Sequence, residues 1–295
     1  MGTTLQQKKL IRFGDSMYTS RYRLALWLKY TLTYAILIAL SILMVFPLFW
    51  MVMTSLKNRR EVFTTFWPKT IDWSNYGRVW DQMDLPVHLQ NSLYVTGLNV
   101  AIVVVAATLA GYAFAKLKFP LRDWIFYIFL AAMMIPGQAI LIPMFIFLKR
   151  IGLLNTRTGL SLSMTGGAIA FAIFIMRAFF RSLPSELGDA GKIDGCTEWG
   201  VFWRIFLPLS RPGIATIVIF QFMGTWNEFM FSSTFIYKPE LKTMQPALYQ
   251  AVGRYGVDYT ALSTGLIMAL IPILIVFFVL QRQFIRGLTA GAFKG

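Results

Sequence analysis

Apolar positions in this chain gather in long blocks instead of alternating with polar ones. Six blocks stand out: Tyr30 to Met53, Leu93 to Ala115, Trp124 to Leu148, Leu160 to Phe180, Ile214 to Ile236 and Ala261 to Leu280. Each reaches the roughly 20 residues that a helix needs to cross a bilayer. Helix is the default form, because a backbone in hydrocarbon must satisfy its own hydrogen bonds. Strict two-residue alternation is absent, which argues against a membrane barrel. The pattern predicts an all-α integral membrane protein with six transmembrane helices over 30–283. Segment 1–29 precedes them and a tail, 284–295, follows. The third block carries breakers: "MMIPGQAILIP" holds Pro136, Gly137 and Pro143. Proline removes a backbone donor and kinks a helix.

Between the fourth and fifth blocks the pattern changes. "SLPSELGDAGKIDGCTEWGVFWRIFLPLSRP" reads as two short helices joined by a turn, over 184–208. Pro184 and Ser185 mark a start, with Ser185 as N-cap. Glu186 and Asp189 suit the positive end of that helix. Asp194-Gly195 ends it, since glycine accepts the left-handed cap conformation. Thr197 caps a second helix, along which Trp199, Phe202, Trp203 and Phe206 recur at three- and four-residue spacing as one apolar face. Such an elbow either lies on the bilayer surface or is clasped by a protein. Gly188 and Gly191 favour the second, because each costs a helix about 1 kcal/mol and implies close approach by another surface.

Composition agrees with a membrane chain: 57% of residues are hydrophobic and 14% charged. The net charge of +15 would suggest nucleic acid in a soluble protein. Here lysines and arginines at the ends of spans facing anionic lipid account for it. With the N-terminus cytoplasmic, 17 of the 28 lysines and arginines fall on the inside, most densely in the short segments. Both termini and the 184–208 elbow are then expected on the cytoplasmic side. The outside holds the long Lys57 to Gln90 loop and the 237–259 loop. No cleavable leader is expected at the front.

Candidate chemistry is sparse. His88 is the one histidine and Cys196 the one cysteine, neither with partners at metal-ligand or triad spacing. A phosphate loop is missing: Gly191-Lys192 lacks the upstream glycine and is followed by Ile193. No metal and no nucleotide is expected on this chain, and no catalysis. Glu228 is the main carboxylate at membrane depth, and such a group is by default functional. With Trp226 and Asn227 it is the candidate for a translocation path. Either it faces solute, or it pairs with a neighbouring helix or sits near enough to the interface to stay wet. Gln138, Asn91 and Gln221 are weaker candidates for lining or for interhelical hydrogen bonds.

The elbow resembles the coupling motif of inner-membrane permease subunits of binding-protein-dependent ABC importers. In that pattern Glu-Ala-Ala, three residues and Gly lead through a spacer to Ile-x-Leu-Pro. Asp189-Ala190-Gly191 stands in the first place, Gly195 in the second, and Ile205 to Pro208 closes it, with the spacing kept. Asp189 is one methylene shorter than glutamate, and Gly191 replaces an alanine. "NSLYVTGLNV", "AGYAFAKLKFP", "MMIPGQAILIPMF", "GLLNTRTGL", "WNEF" and "GLTAGAFKG" resemble the carbohydrate-importing branch, in particular its maltose-transporter-like second permease. The resemblance covers about Pro47 to Gly295.

That resemblance implies a bacterial or archaeal multi-pass protein of the cytoplasmic (inner) membrane. It implies a heterodimer with a second, homologous permease, two ATP-binding subunits that carry ATP and Mg, and an extracytoplasmic solute-binding protein. It assigns ATPase coupling to Glu186, Asp189, Ala190, Gly191, Asp194, Gly195, Ile205, Leu207 and Pro208. Loop 237–259 would meet the binding protein, through Lys238, Pro239, Glu240, Tyr249 and Tyr255. The tail from Gly287 would lie near the ATPase. A self-contained transporter driven by an ion gradient is the alternative. It would need intramembrane carboxylates, and only Glu228 qualifies.

Overall fold

A computed structural model describes the backbone of residues 3–249, 252–253 and 256–292, and the side chains of 22–249 and 257–285. It divides into two units, Met1–Thr54 and Ser55–Gly295. The first is a single helix, α1 (Thr3–Ser55), with Pro47 inside it. From Tyr22 onward it is apolar enough to cross a membrane.

The second unit holds the other helices. A short α2 (Ser74–Gln82) precedes α3 (Leu85–Lys116). Then come α4 (Arg122–Ala132), α5 (Leu141–Arg150) and α6 (Arg157–Ser182). The elbow supplies α7 (Glu186–Ile193), α8 (Glu198–Val201), a π-helical turn (Phe202–Phe206) and α9 (Leu207–Leu209). After it run α10 (Arg211–Trp226), α11 (Met230–Phe235), α12 (Met244–Leu248) and α13 (Tyr259–Ala292). A two-residue ladder pairs β1 (Val252–Gly253) with β2 (Gly256–Val257) in antiparallel register.

Among the described residues four helices are long and apolar enough to span: Tyr22–Ser55 of α1, α3, α6 and Tyr259–Ile285 of α13. They contain the first, second, fourth and sixth sequence blocks. The third and fifth blocks are broken. Helix α4 and the stretch Gly137–Arg150 meet at 88°. The bend falls at Ile135-Pro136, where proline disfavours helix in the residue before it. The fifth block was expected to run unbroken to Ile236. Instead α10 stops at Trp226 and α11 starts at Met230. The cause is "WNEF". Asn227 Nδ2 donates to the Met223 carbonyl (3.0 Å) at the end of α10. The Glu228 carboxylate accepts from the amides of Phe231 (3.0 Å) and Ser232 (3.1 Å), which open α11. Glu228 thus satisfies amides left unpaired at the start of α11, while Asn227 adds a second donor to the Met223 carbonyl, which already accepts the Asn227 amide (3.2 Å).

The core lies in three apolar clusters. The largest joins α3, α6 and the elbow through Tyr112, Phe180, Phe202 and Phe206. A second gathers Val79, Leu85, Met244 and Leu248 against α13. The third gathers Val95, Leu148, Leu160 and Phe235.

Candidate functional site

The elbow is a preformed body. Gly195 adopts φ +84°, and Cys196 N donates to the Gly191 carbonyl (2.9 Å), so α7 ends in the glycine cap that its sequence predicts. Thr197 Oγ1 accepts from Gly200 N (3.2 Å) and caps α8. Ser185 sits at the start of α7, but its hydroxyl makes no cap bond and faces Lys116 Nζ at 3.4 Å. Lys192 ion-pairs with Glu198 across the turn. The hydrogen bond to Glu198 pushes the Lys192 pKa up, so its charge is lost only at strongly alkaline pH. Both groups are solvent-exposed, and such a pair adds little stability.

The two glycines of α7 have a different cause from the one their sequence suggests. A Cβ on Gly191 would meet Ile205 Cδ1 at 2.5 Å, and one on Gly188 would meet Phe206 at 3.2 Å. The closely approaching surface is therefore the chain's own second elbow helix, not a partner. The glycines fuse the two halves of the elbow, leaving the opposite face of α7 open. Glu186, Leu187, Asp189, Ala190, Lys192, Ile193 and Asp194 are exposed, Ile193 at 86%. Ile205 and Leu207 are half-buried and Pro208 is exposed.

The expected single aromatic face also divides. Phe202 and Phe206 are buried, whereas Trp199 and Trp203 are exposed. The π-helical turn that begins at Phe202 rotates the two pairs apart. Phe202 and Phe206 pack on Tyr112 of α3, with ring centroids 4.9 and 5.5 Å away. Phe180 of α6 completes the cluster, 5.6 Å from Tyr112. Lys116 Nζ donates to the Leu183 carbonyl (2.7 Å) and lies 5.1 Å over the Phe206 ring. The elbow is thus bolted to the ends of two long helices.

The three expected path residues do not act together. Trp226 is 1% exposed, stacks on Phe222 at 5.4 Å and donates Nε1 to the Ala269 carbonyl of α13 (3.0 Å). It is a core residue. Asn227 is exposed and accepts from Gln245 Nε2 (3.3 Å). Glu228 alone lines a groove of about 280 Å³, with Ser163, Gln221, Gly224, Thr225 and Phe231 among its walls. Behind the groove Asn99 is fully buried. Its Nδ2 donates to the Ser161 carbonyl (3.2 Å) and Thr165 Oγ1 (3.0 Å), and its Oδ1 accepts from Gln221 (2.7 Å) and Thr225 (2.9 Å). Sequence reading missed Asn99, although a lone asparagine inside an apolar block is the signal that finds such a residue.

The 237–259 loop is fixed at its root. Asn155, at φ +61°, accepts from the amides of Tyr237 and Lys238, both at 3.1 Å. Asn91 Nδ2 donates to the Glu240 (2.9 Å) and Lys242 (3.0 Å) carbonyls, and Ser92 Oγ accepts from Met244 N (2.7 Å). His88 Nδ1 lies 2.8 Å from the Lys242 carbonyl, so the single histidine serves this anchor. Lys238, Pro239 and Glu240 are exposed around a 3₁₀ turn. Tyr249 is exposed, with its ring 5.5 Å from Phe229. Tyr255 lies outside the described residues.

Residues 103–290 match the family described as the binding-protein-dependent transport system inner membrane component. The chain belongs to this family. The permease is also similar to the diacetylchitobiose uptake system permease protein NgcG of Streptomyces coelicolor, 32% identical over 267 residues, covering 89% of this chain and 88% of that one. It is 31% identical to the lactose transport system permease protein LacG of Rhizobium radiobacter, covering 86% of this chain and 93% of that one. Its fold matches a chain of a bacterial ABC transporter involved in alginate import, with a TM-score of 0.76 at 23% identity, over 86% of this chain and 96% of that one. The permease is thus an integral inner-membrane component. All the coupling residues named from its sequence fall on or beside the elbow; of Trp226, Asn227 and Glu228 only Glu228 faces the groove, with the weaker candidate Gln221 on its wall.

Two outcomes follow from this geometry. Gly191→Val drives a side chain into Ile205 and parts the elbow halves, at roughly 1–3 kcal/mol. Faster limited proteolysis between residues 184 and 208 is the expected result, and an unchanged cleavage rate would contradict it. Gly224→Leu places bulk at the groove wall, where among the described residues a Cβ meets nothing within 4 Å beyond its own stretch of helix. The variant should accumulate in the membrane at the parent level yet lose solute uptake by roughly tenfold or more.

Proposed function

We propose that this chain is one permease subunit of an ATP-driven importer for a sugar or related solute. The chain crosses the membrane six times, the broken third and fifth sequence blocks each counted as one span, and forms half of the path. Both termini and the elbow lie in the cytoplasm. A second permease completes the path, two ATPase subunits bind ATP and Mg, and a binding protein delivers solute to the 237–259 loop. The names of the relatives support carbohydrate as the cargo, since they describe uptake of diacetylchitobiose and lactose.

The observation that carries the coupling role is the two-sided elbow. One side is fused through its glycines and bolted by Phe202 and Phe206 to α3 and α6. The other presents Glu186, Asp189 and Ala190 beside exposed Leu187 and Ile193. A face that mixes apolar and acidic groups suits a groove on a soluble protein better than lipid, where the carboxylates would be desolvated. Closure of an ATPase dimer around such a lever would move the spans as a body. The ion-gradient alternative depends on Glu228, whose two oxygens already hold the start of α11.

In proteoliposomes holding the complete importer, uptake should require ATP on the ATPase side and the binding protein on the other. Asp189→Lys should leave assembly intact while lowering ATP-driven uptake by roughly tenfold or more, through charge reversal at a protein contact. Parent-level uptake in that variant would remove Asp189 from coupling. Transport by this chain alone under an ion gradient would overturn the importer reading.

A further inference from the structure

We propose that the groove beside Glu228 is built to receive hydrogen-bond donors, so it passes uncharged polyhydroxy solutes and turns away anionic ones, with Asn99 as the positioning residue that imposes this polarity. The inference rests on the groove being part of the proposed path, and it narrows the class of solute that path takes.

The argument starts from a group with no choice. The Ser161 backbone carbonyl can only accept, so the Asn99 atom 3.2 Å from it is the amide nitrogen. Asn99 Oδ1 then points toward α10. The Gln221 atom 2.7 Å from that oxygen must be its NH2 group, and the Thr225 hydroxyl at 2.9 Å must send its hydrogen the same way. The second hydrogen of Gln221 Nε2 goes to Thr225 Oγ1 at 3.3 Å. Ser163, on the opposite wall, gives its hydrogen to the Leu160 carbonyl at 2.7 Å. Gln221, Thr225 and Ser163 line the groove, and each spends its hydrogens on the protein.

What the side chains leave for a solute is acceptor capacity. It comprises the Gln221 carbonyl oxygen, hydroxyl lone pairs on Ser163 and the remaining lone pairs of the Glu228 carboxylate. Among the described residues no lysine or arginine forms an ion pair with Glu228, so no cation there offers a counter-charge to an anionic solute. A sugar hydroxyl can donate into such a wall. A solute carboxylate, phosphate or sulfonate has no hydrogen to give and meets a like charge, which is unfavourable.

The polarity can be read directly with a thiol in the groove. The complete importer would carry Cys196→Ala and Gly224→Cys in this chain, the latter where, among the described residues, the new Cβ meets nothing within 4 Å beyond its own stretch of helix. Labelling of this chain is followed by intact mass, using 2-hydroxyethyl and 2-sulfonatoethyl methanethiosulfonate, each rate divided by that with free cysteine. The sulfonate should react roughly tenfold more slowly than the neutral reagent. Glu228→Gln should shrink the gap by removing the charge. Asn99→Leu should shrink it by freeing the Gln221 amide to turn outward, whereas Asn99→Asp, which keeps an acceptor toward α10, should preserve it. A purely structural role for Asn99 would lower both rates together and leave their ratio alone. Equal rates in the parent overturn the proposal, as does a gap unmoved by both Glu228→Gln and Asn99→Leu. A gap lost in Asn99→Asp removes Asn99 as its cause. Labelling by neither reagent would close the groove to solutes and overturn the path itself, whatever ATP-driven sugar uptake shows.

Discussion

The structure depends on one aromatic clamp. Tyr112 of α3 sits between Phe180 of α6 and the elbow residues Phe202 and Phe206. Pairs of this kind contribute about 0.5–1.5 kcal/mol each beyond the area they bury. Their larger effect is geometric. In a close-packed core, aromatic rings fix one arrangement and resist gradual shear. Lys116 adds a polar bolt at the same place, reaching the Leu183 carbonyl where the chain leaves α6. Without this clamp the elbow would keep its own caps and glycine contacts but lose its fixed seat on α3 and α6.

A second constraint operates deeper, where hydrocarbon gives no help to polar groups. Asn99 makes four hydrogen bonds that reach α6 and α10 from α3. A single interhelical bond in a membrane protein averages only about 0.6 kcal/mol. Four on one fully buried side chain set register more than they add stability, because any slip leaves an unpaired amide in an apolar place. Both constraints begin on α3, which therefore acts as the fixed frame for α6 and α10.

Much of this was legible in the residues. Apolar block length gave the four unbroken helices and the approximate ends of the others. Asp194-Gly195 and Thr197 gave the elbow's turn, since cap chemistry is local. Other features were misread for physical reasons. The glycines of α7 signal close approach, but a sequence does not say whether the approaching surface is foreign, and here it is Ile205 and Phe206. "WNEF" was read as a polar stretch within a span, although Asn and Glu are also helix-end residues. Hydropathy windows average over such a stop, while hydrogen bonding does not. Trp226 was misplaced for a related reason. Its indole offers both an apolar face and a donor, and the Ala269 carbonyl that takes the donor is 43 residues away along the chain. Long-range partners of this kind leave no local pattern.

The same break links the two ends of the molecule. Helix α10 begins at Ser210, where the elbow turns into the bundle at 69°. Ser210 is fully buried there, donating its hydroxyl to the Leu207 carbonyl (2.8 Å) and its amide to the Phe206 carbonyl (2.9 Å). The helix ends sixteen residues later at Trp226, about 24 Å away, directly before Glu228. A helix of that length transmits displacement with little bending. One end is set by the aromatic clamp, and the other carries Gln221, Gly224 and Thr225 on the groove wall. Helix α10 thus joins the clamped elbow at one end to the Asn99 bonds at the other, so the elbow, α3 and this groove wall form one connected unit. Sensitivity of the groove to the elbow needs no chain of small intermediate steps, because one helix belongs to both.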